Sequence, residues 1–162
     1  LTPTEYEKLV EEIAKGIIKS APNLEHLVIG SGRKNKITGA SGYSHQIDLS
    51  LHESGRLFLI ECKRWARNIG VAEVLVLAGR RNDIAERFSS ESVVPIMVSM
   101  RKASSGARKL AGHFGISLEI AISASKFGLR IGRYIHHGVQ ESMGISDDAG
   151  IEVTRKGVIL NE

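Results

Sequence analysis

The chain has 162 residues, 42% hydrophobic and 25% charged, with one cysteine, and 22 Lys and Arg against 18 Asp and Glu give a net charge of +4 and a pI near 9.3. That size supports one core without covalent staples, and the composition excludes a fibrous, disordered or disulfide-framed chain. No apolar run reaches the roughly 18–20 residues of a membrane span and no signal-peptide pattern opens the chain, so the expectation is a cytoplasmic protein with an anionic partner, nucleic acid before membrane.

Residues 4–20 carry Tyr6, Leu9, Val10, Ile13, Ile17 and Ile18 at helical spacing, with Thr4 as N-cap and Glu7 three residues on in a capping-box arrangement. Ala21-Pro22-Asn23 ends this helix, and Leu24 to Ile29 reads as a short strand. A glycine-rich loop over residues 30–42 follows, carrying Arg33, Lys34 and Lys36. It lacks the GxxxxGK[ST] order of a nucleotide-binding loop, so it suits either a grip on a phosphate backbone or a solvated mobile segment.

Gln46 to Lys63, QIDLSLHESGRLFLIECK, reads as two strands joined at Ser54-Gly55. A two-residue turn there places residues whose numbers sum to 109 opposite one another, Asp48 across from Glu61 and Gln46 across from Lys63. Strand alternation then gathers Gln46, Asp48, Glu61 and Lys63 on one face and sends Ile47, Leu49, Leu51, Phe58, Ile60 and Cys62 to the core. Facing carboxylates repel by roughly 0.2–1 kcal/mol, which a divalent cation would offset. Lys63 either pairs with those acids on a solvated face or serves a water and developing phosphorane charge.

Arg64, Trp65 and Arg67 follow the second strand, the tryptophan suited to stacking on a base or to packing. Val71 to Phe88 reads as a helix with Val71, Val74, Leu75, Ala78 and Ile84 inward, and residues 92–100 as a buried strand in which Pro95 favours an edge or bulge. Ser104-Ser105 opens a helix that Gly115 caps, and Ile116 to Ile122 is a further strand. Interleaved strands and helices predict an α/β fold, a mixed β-sheet flanked by helices. Residues 1–123 form the expected domain, and residues 124–162 an accessory segment, dimer contact or linker whose His136-His137 pair is a weak metal signal. The start at Leu1 fits an excerpt of a longer chain.

Asp48 followed by Glu61-Cys62-Lys63 at the end of an apolar strand resembles the PD-(D/E)XK nuclease signature, and the order of the first hundred residues resembles that superfamily's restriction-endonuclease-like αβββαβ core. Tyr6-Glu7-Lys8-Leu9-Val10, the Gly42 to Asp48 run GYSHQID, and Leu59 to Arg64 resemble its Mrr-like branch, over roughly residues 4–120. Ile47 stands where the superfamily's name has proline, a position that ligates nothing. The resemblance implies an endonuclease that hydrolyses DNA with Mg²⁺, or Mn²⁺ as substitute. Asp48, Glu61 and the Cys62 carbonyl would hold the metal, Lys63 would act on the water, Glu7 would complete the acidic cluster, and Gln46 would support the site or touch the phosphate. Arg33, Lys34, Lys36, His45, Arg64, Trp65 and Arg67 are the expected DNA contacts. A homodimeric junction-resolving nuclease and a non-catalytic DNA-binding or assembly module are the alternatives.

Overall fold

The computed structural model describes residues 5, 8, 9, 12, 13, 15–17, 28–31, 34–53, 55–63, 68–120, 153, 154, 157 and 158. Among the first of these the backbone is helical, and Ile13 and Ile17, one turn apart, are fully buried, as the apolar stripe predicts. A five-stranded sheet in the order β1-β4-β5-β6-β7 follows, made of β1 (Val28–Ser31), β4 (Leu49–Glu53), β5 (Arg56–Lys63), β6 (Ser92–Ser99) and β7 (Ser117–Ile120). β1, β4 and β5 are antiparallel neighbours, whereas β5, β6 and β7 are parallel. Helix α1 (Val71–Arg87) joins β5 to β6 and α2 (Ser105–Phe114) joins β6 to β7, the crossovers that parallel pairing requires. This is a mixed α/β fold, its mixed sheet flanked by helices.

The hairpin register is the expected one: Leu49 faces Ile60 and Glu53 faces Arg56 across a two-residue turn, where Gly55 has φ 75°. Two expectations fail at its open end. The outer strand breaks at Ile47–Asp48, because the Ile47 N–H donates to the Asn35 carbonyl (3.0 Å) rather than to β5. Gln46 is therefore opposite Lys36, not Lys63, in a separate ribbon of β2 (Lys36–Thr38) and β3 (Ser44–Gln46). That ribbon occupies part of what reads in sequence as one long loop. The break also shifts Ile47 into a cluster with Ile37, Leu57, Leu59, Ile84 and Val93. Leu57 and Leu59 are fully buried, so the face of β5 that bears Glu61 is core along most of its length and polar only at its end.

Helix α1 packs through Val74, Leu77, Ala78 and Ile84. Val71 and Leu75, expected inward, are 40% and 47% exposed. Leu75 stands about 100° around the helix from Val74, off the buried stripe. Local signals at α2 hold: the Ser104 hydroxyl accepts from the Ala107 N–H (3.2 Å), and Gly115 ends the helix at φ 65°. Pro95 sits within β6, but pairing with β7 begins at Ile96, so Pro95 lies where described pairing runs along one side alone. Within the proposed accessory segment, residues 124–162, only β8 (Val153–Thr154) and its antiparallel partner β9 (Gly157–Val158) are described, and His136 and His137 lie outside the described residues. No described helix is long and apolar enough to cross a membrane.

Candidate active site

β5 carries the chain through the sheet centre and delivers Glu61, Cys62 and Lys63 at its carboxyl end, beside Met97, Val98 and Ser99 of β6. Helix α1 starts on that side, and its Ala72, Val76 and Arg80 close a cleft of about 200 Å³ against Glu61, Lys63 and Met97. Asp48 reaches the same place from the break before β4. Its Oδ2 accepts the Cys62 N–H at 2.8 Å, so a carboxylate takes the position of a strand carbonyl at the end of the ladder.

Glu61 is the focus. Its side chain is 5% exposed, Arg80 Nη1 donates to its Oε1, and Lys63 Nζ stands 3.7 Å from its Oε2. Burial and then the neighbouring Asp48 charge push its carboxyl up to about 7, while Arg80 and Lys63 pull the other way. The Asp48 charge acts on Glu61, and Lys63 stands beside Glu61. The Cys62 thiol is buried, and burial pushes it well above the usual thiol range, so that side chain is inert packing.

Arg80 is the site residue that sequence reasoning misses. Its Nη1 also donates to the Gln46 carbonyl at 3.3 Å, so one nitrogen ties α1 to both Glu61 and the ribbon. Only a helical spacing could have signalled it: Arg80 lies four residues past Val76 and three past Leu77, on the edge of the buried stripe. Gln46 has an exposed side chain and approaches the site through its backbone. Lys34 and Lys36 are exposed. His45 lies on the inward side of the ribbon, with Nε2 2.6 Å from Asp83 Oδ2. Glu7, Arg33, Arg64, Trp65 and Arg67 lie outside the described residues. Among the described residues no group of three or more His, Cys, Asp or Glu side chains could hold a metal ion. The oxygen donors brought together are the Asp48 and Glu61 carboxylates.

No family model and no curated protein matches the chain. Solved structures do. Can2 from Sulfobacillus thermosulfidooxidans, in complex with cyclic tetra-adenylate, is 15% identical, matching 83% of this chain and 37% of its own at a TM-score of 0.58. A protein of unknown function, AF1548, is 19% identical over 74% of this chain and 66% of its own, with a TM-score of 0.52. A repair endonuclease from Pyrococcus abyssi is 21% identical over 68% of this chain and 46% of its own, with a TM-score of 0.49. At these identities the likeness is one of fold, and the chain spans under two thirds of each of these proteins.

Proposed function

We propose that the protein is a metal-dependent endonuclease that hydrolyses DNA phosphodiesters, with a restriction-endonuclease-like, Mrr-type core. The observation that carries this reading is the meeting of Asp48 and Glu61 at the carboxyl end of β5, with the Lys63 ammonium 3.7 Å from Glu61 Oε2. Two neighbouring carboxylates, one raised by burial and then by the other's charge, are hard oxygen donors that a cation would relieve. That donor chemistry suits Mg²⁺, or Mn²⁺ in its place, which accepts one or two carboxylates and keeps several waters. Asp48 and Glu61 would hold it, with the Cys62 carbonyl as a further donor and Glu7 completing the cluster. Bound there, the ion would neutralise phosphate charge and acidify a water.

The chain's own groups do the rest. Water attacks phosphorus, the ester bond to the leaving oxygen breaks, and that oxygen takes up a proton. The Lys63 ammonium donates to the attacking water or to the phosphoryl oxygens as charge develops there. Arg80 partly offsets the burial penalty on Glu61, favouring its charged form, and fixes the carboxylate by donating to Oε1. Lys34 and Lys36, with Arg33, Arg64, Trp65 and Arg67, would line the path of the phosphate backbone.

Cleavage of supercoiled plasmid, modified and unmodified, with and without Mg²⁺ or Mn²⁺, tests this reading. Glu61→Ala and Lys63→Ala should each lower the rate by at least about 10²-fold, the scale of losing a group that stabilises transition-state charge. Cutting by purified Glu61→Ala protein at the wild-type rate would reject the site.

A further inference from the structure

The β2–β3 ribbon has two unlike faces. Its register sets Lys36 against Gln46, Ile37 against His45, and Thr38 against Ser44. Alternation turns Ile37 and His45 inward, Ile37 joining the cluster of Ile47 and Ile84. Lys36, Ser44 and Gln46 are exposed on the other face, where the Thr38 and Ser44 hydroxyls lie 2.9 Å apart. That face carries amide and hydroxyl groups and one ammonium, with no carboxylate. Tyr43, at the turn, is 68% exposed.

Asp83 of α1 gathers the polar bonds of the inward side. Asp83 Oδ1 accepts the Ser41 N–H (2.7 Å), and Oδ2 accepts the Ser41 hydroxyl (2.7 Å) and faces His45 Nε2 (2.6 Å). The Asp83 carbonyl accepts the Ala40 N–H at 2.9 Å. A Cβ at Gly39 would stand 2.0 Å from Asp83 Oδ2, so glycine alone permits the approach. This Ser-His-Asp set is no hydrolytic triad, because the carboxylate lies between the other two groups and the serine donates to it rather than to the imidazole.

We propose that the β2–β3 ribbon is a sequence-reading arm that enters the major groove of duplex DNA, with Gln46 and Ser44 on base edges and Lys36 on a flanking phosphate. The proposal rests on the reading of the site as a DNA nuclease. Three observations support it. A two-stranded ribbon fits the B-form major groove, where each base pair shows a distinct donor and acceptor pattern that amide and hydroxyl side chains read. The Asp83 clamp orders the ribbon in advance, so little freedom remains to be lost on binding. Arg80 Nη1 bonds both the Gln46 carbonyl and Glu61, so the arm's end lies one guanidinium from the carboxylate that would cut. The A-form major groove is too deep and narrow for such an arm, which makes duplex DNA the partner and duplex RNA the control.

The test is fluorescence anisotropy on a panel of labelled DNA duplexes of different sequence, without divalent metal, for wild type, Lys36→Ala/Ser44→Ala, Lys109→Ala and Glu61→Ala. Lys109 is an exposed cation on α2, so its variant removes the same charge elsewhere. The ribbon variant should lose at least about tenfold on the preferred duplex and lose the preference itself, while Lys109→Ala stays within about twofold. Melting at the wild-type temperature confirms that the exposed substitutions leave the fold intact. Equal binding by the ribbon variant and wild type, a uniform loss no greater than that of Lys109→Ala, or equal affinity for duplex RNA overturns the arm. If wild type cuts plasmid while the ribbon variant binds normally, the arm falls and the nuclease reading stands. If wild type and Glu61→Ala bind with sequence preference but neither cuts, the nuclease reading falls and the arm stands.

Discussion

At the scale of single residues the site is a contest over one buried carboxylate. Removing Arg80 leaves Glu61 without its nearest cation in a place where burial already raises its proton affinity. Breaking a fully buried ion pair from one side costs about 3–5 kcal/mol. The Arg80 side chain is 30% exposed and Glu61 can take up a proton, so Arg80→Ala should cost about 1–3 kcal/mol. The double variant Arg80→Ala/Glu61→Gln should cost less than the sum of the two singles, which denaturant melts would show as a coupling energy. Asp83 gives the complementary pH prediction. Its bond to His45, then those to the Ser41 amide and hydroxyl, hold its carboxyl down at about 2, against about 3.9 for an unfolded aspartate. A depressed carboxyl stabilises the fold above the unfolded value and loses that contribution as the pH falls towards the folded one. Thermal midpoints taken from about pH 5 down to about pH 2 should therefore fall more steeply for wild type than for Asp83→Asn.

At the scale of elements, one side chain joins three of them. Ile84 of α1 is fully buried against Ile37 of the ribbon, Ile47 at the break, and Leu57 and Leu59 of β5. Ile84→Ala should cost about 2–5 kcal/mol, seen as a lower denaturant midpoint with an unchanged slope. The same cluster shows where sequence stops being legible. The β4–β5 register could be read because a two-residue turn fixes it, and the ends of α2 because Ser104 and Gly115 act within one turn of themselves. The break at Ile47 could not, because it depends on Asn35 catching the chain from twelve residues away. Asn35 takes the Ile47 N–H on its carbonyl, and its side chain donates to the Ile47 and Gly30 carbonyls at 2.9 and 3.1 Å and accepts from the Ser50 hydroxyl at 3.1 Å. A lone asparagine in a glycine-rich stretch carries no signal of those partners. Arg80 was hidden for a related reason, since its role follows from how α1 docks on β5 and not from its own helix.

For the whole molecule, topology decides where the charge collects. Among the described strands, β5 alone has an antiparallel neighbour on one side and a parallel one on the other. Its carboxyl end therefore meets the incoming end of β4, which brings Asp48, and the flank of α1, whose middle brings Arg80. A cation that binds this corner only in the folded state must stabilise the entire cooperative unit, by RT ln(1 + [L]/Kd), or about 1.4 kcal/mol for each tenfold rise in concentration above Kd. Titrating Mg²⁺, or Ca²⁺ as an inert stand-in, should raise the melting temperature of wild type continuously. Asp48→Asn and Glu61→Gln should each flatten that rise, because each removes a donor. A rise that persists undiminished in the Asp48→Asn/Glu61→Gln double variant would put the cation elsewhere on the protein and leave the corner as a structural ion-pair cluster.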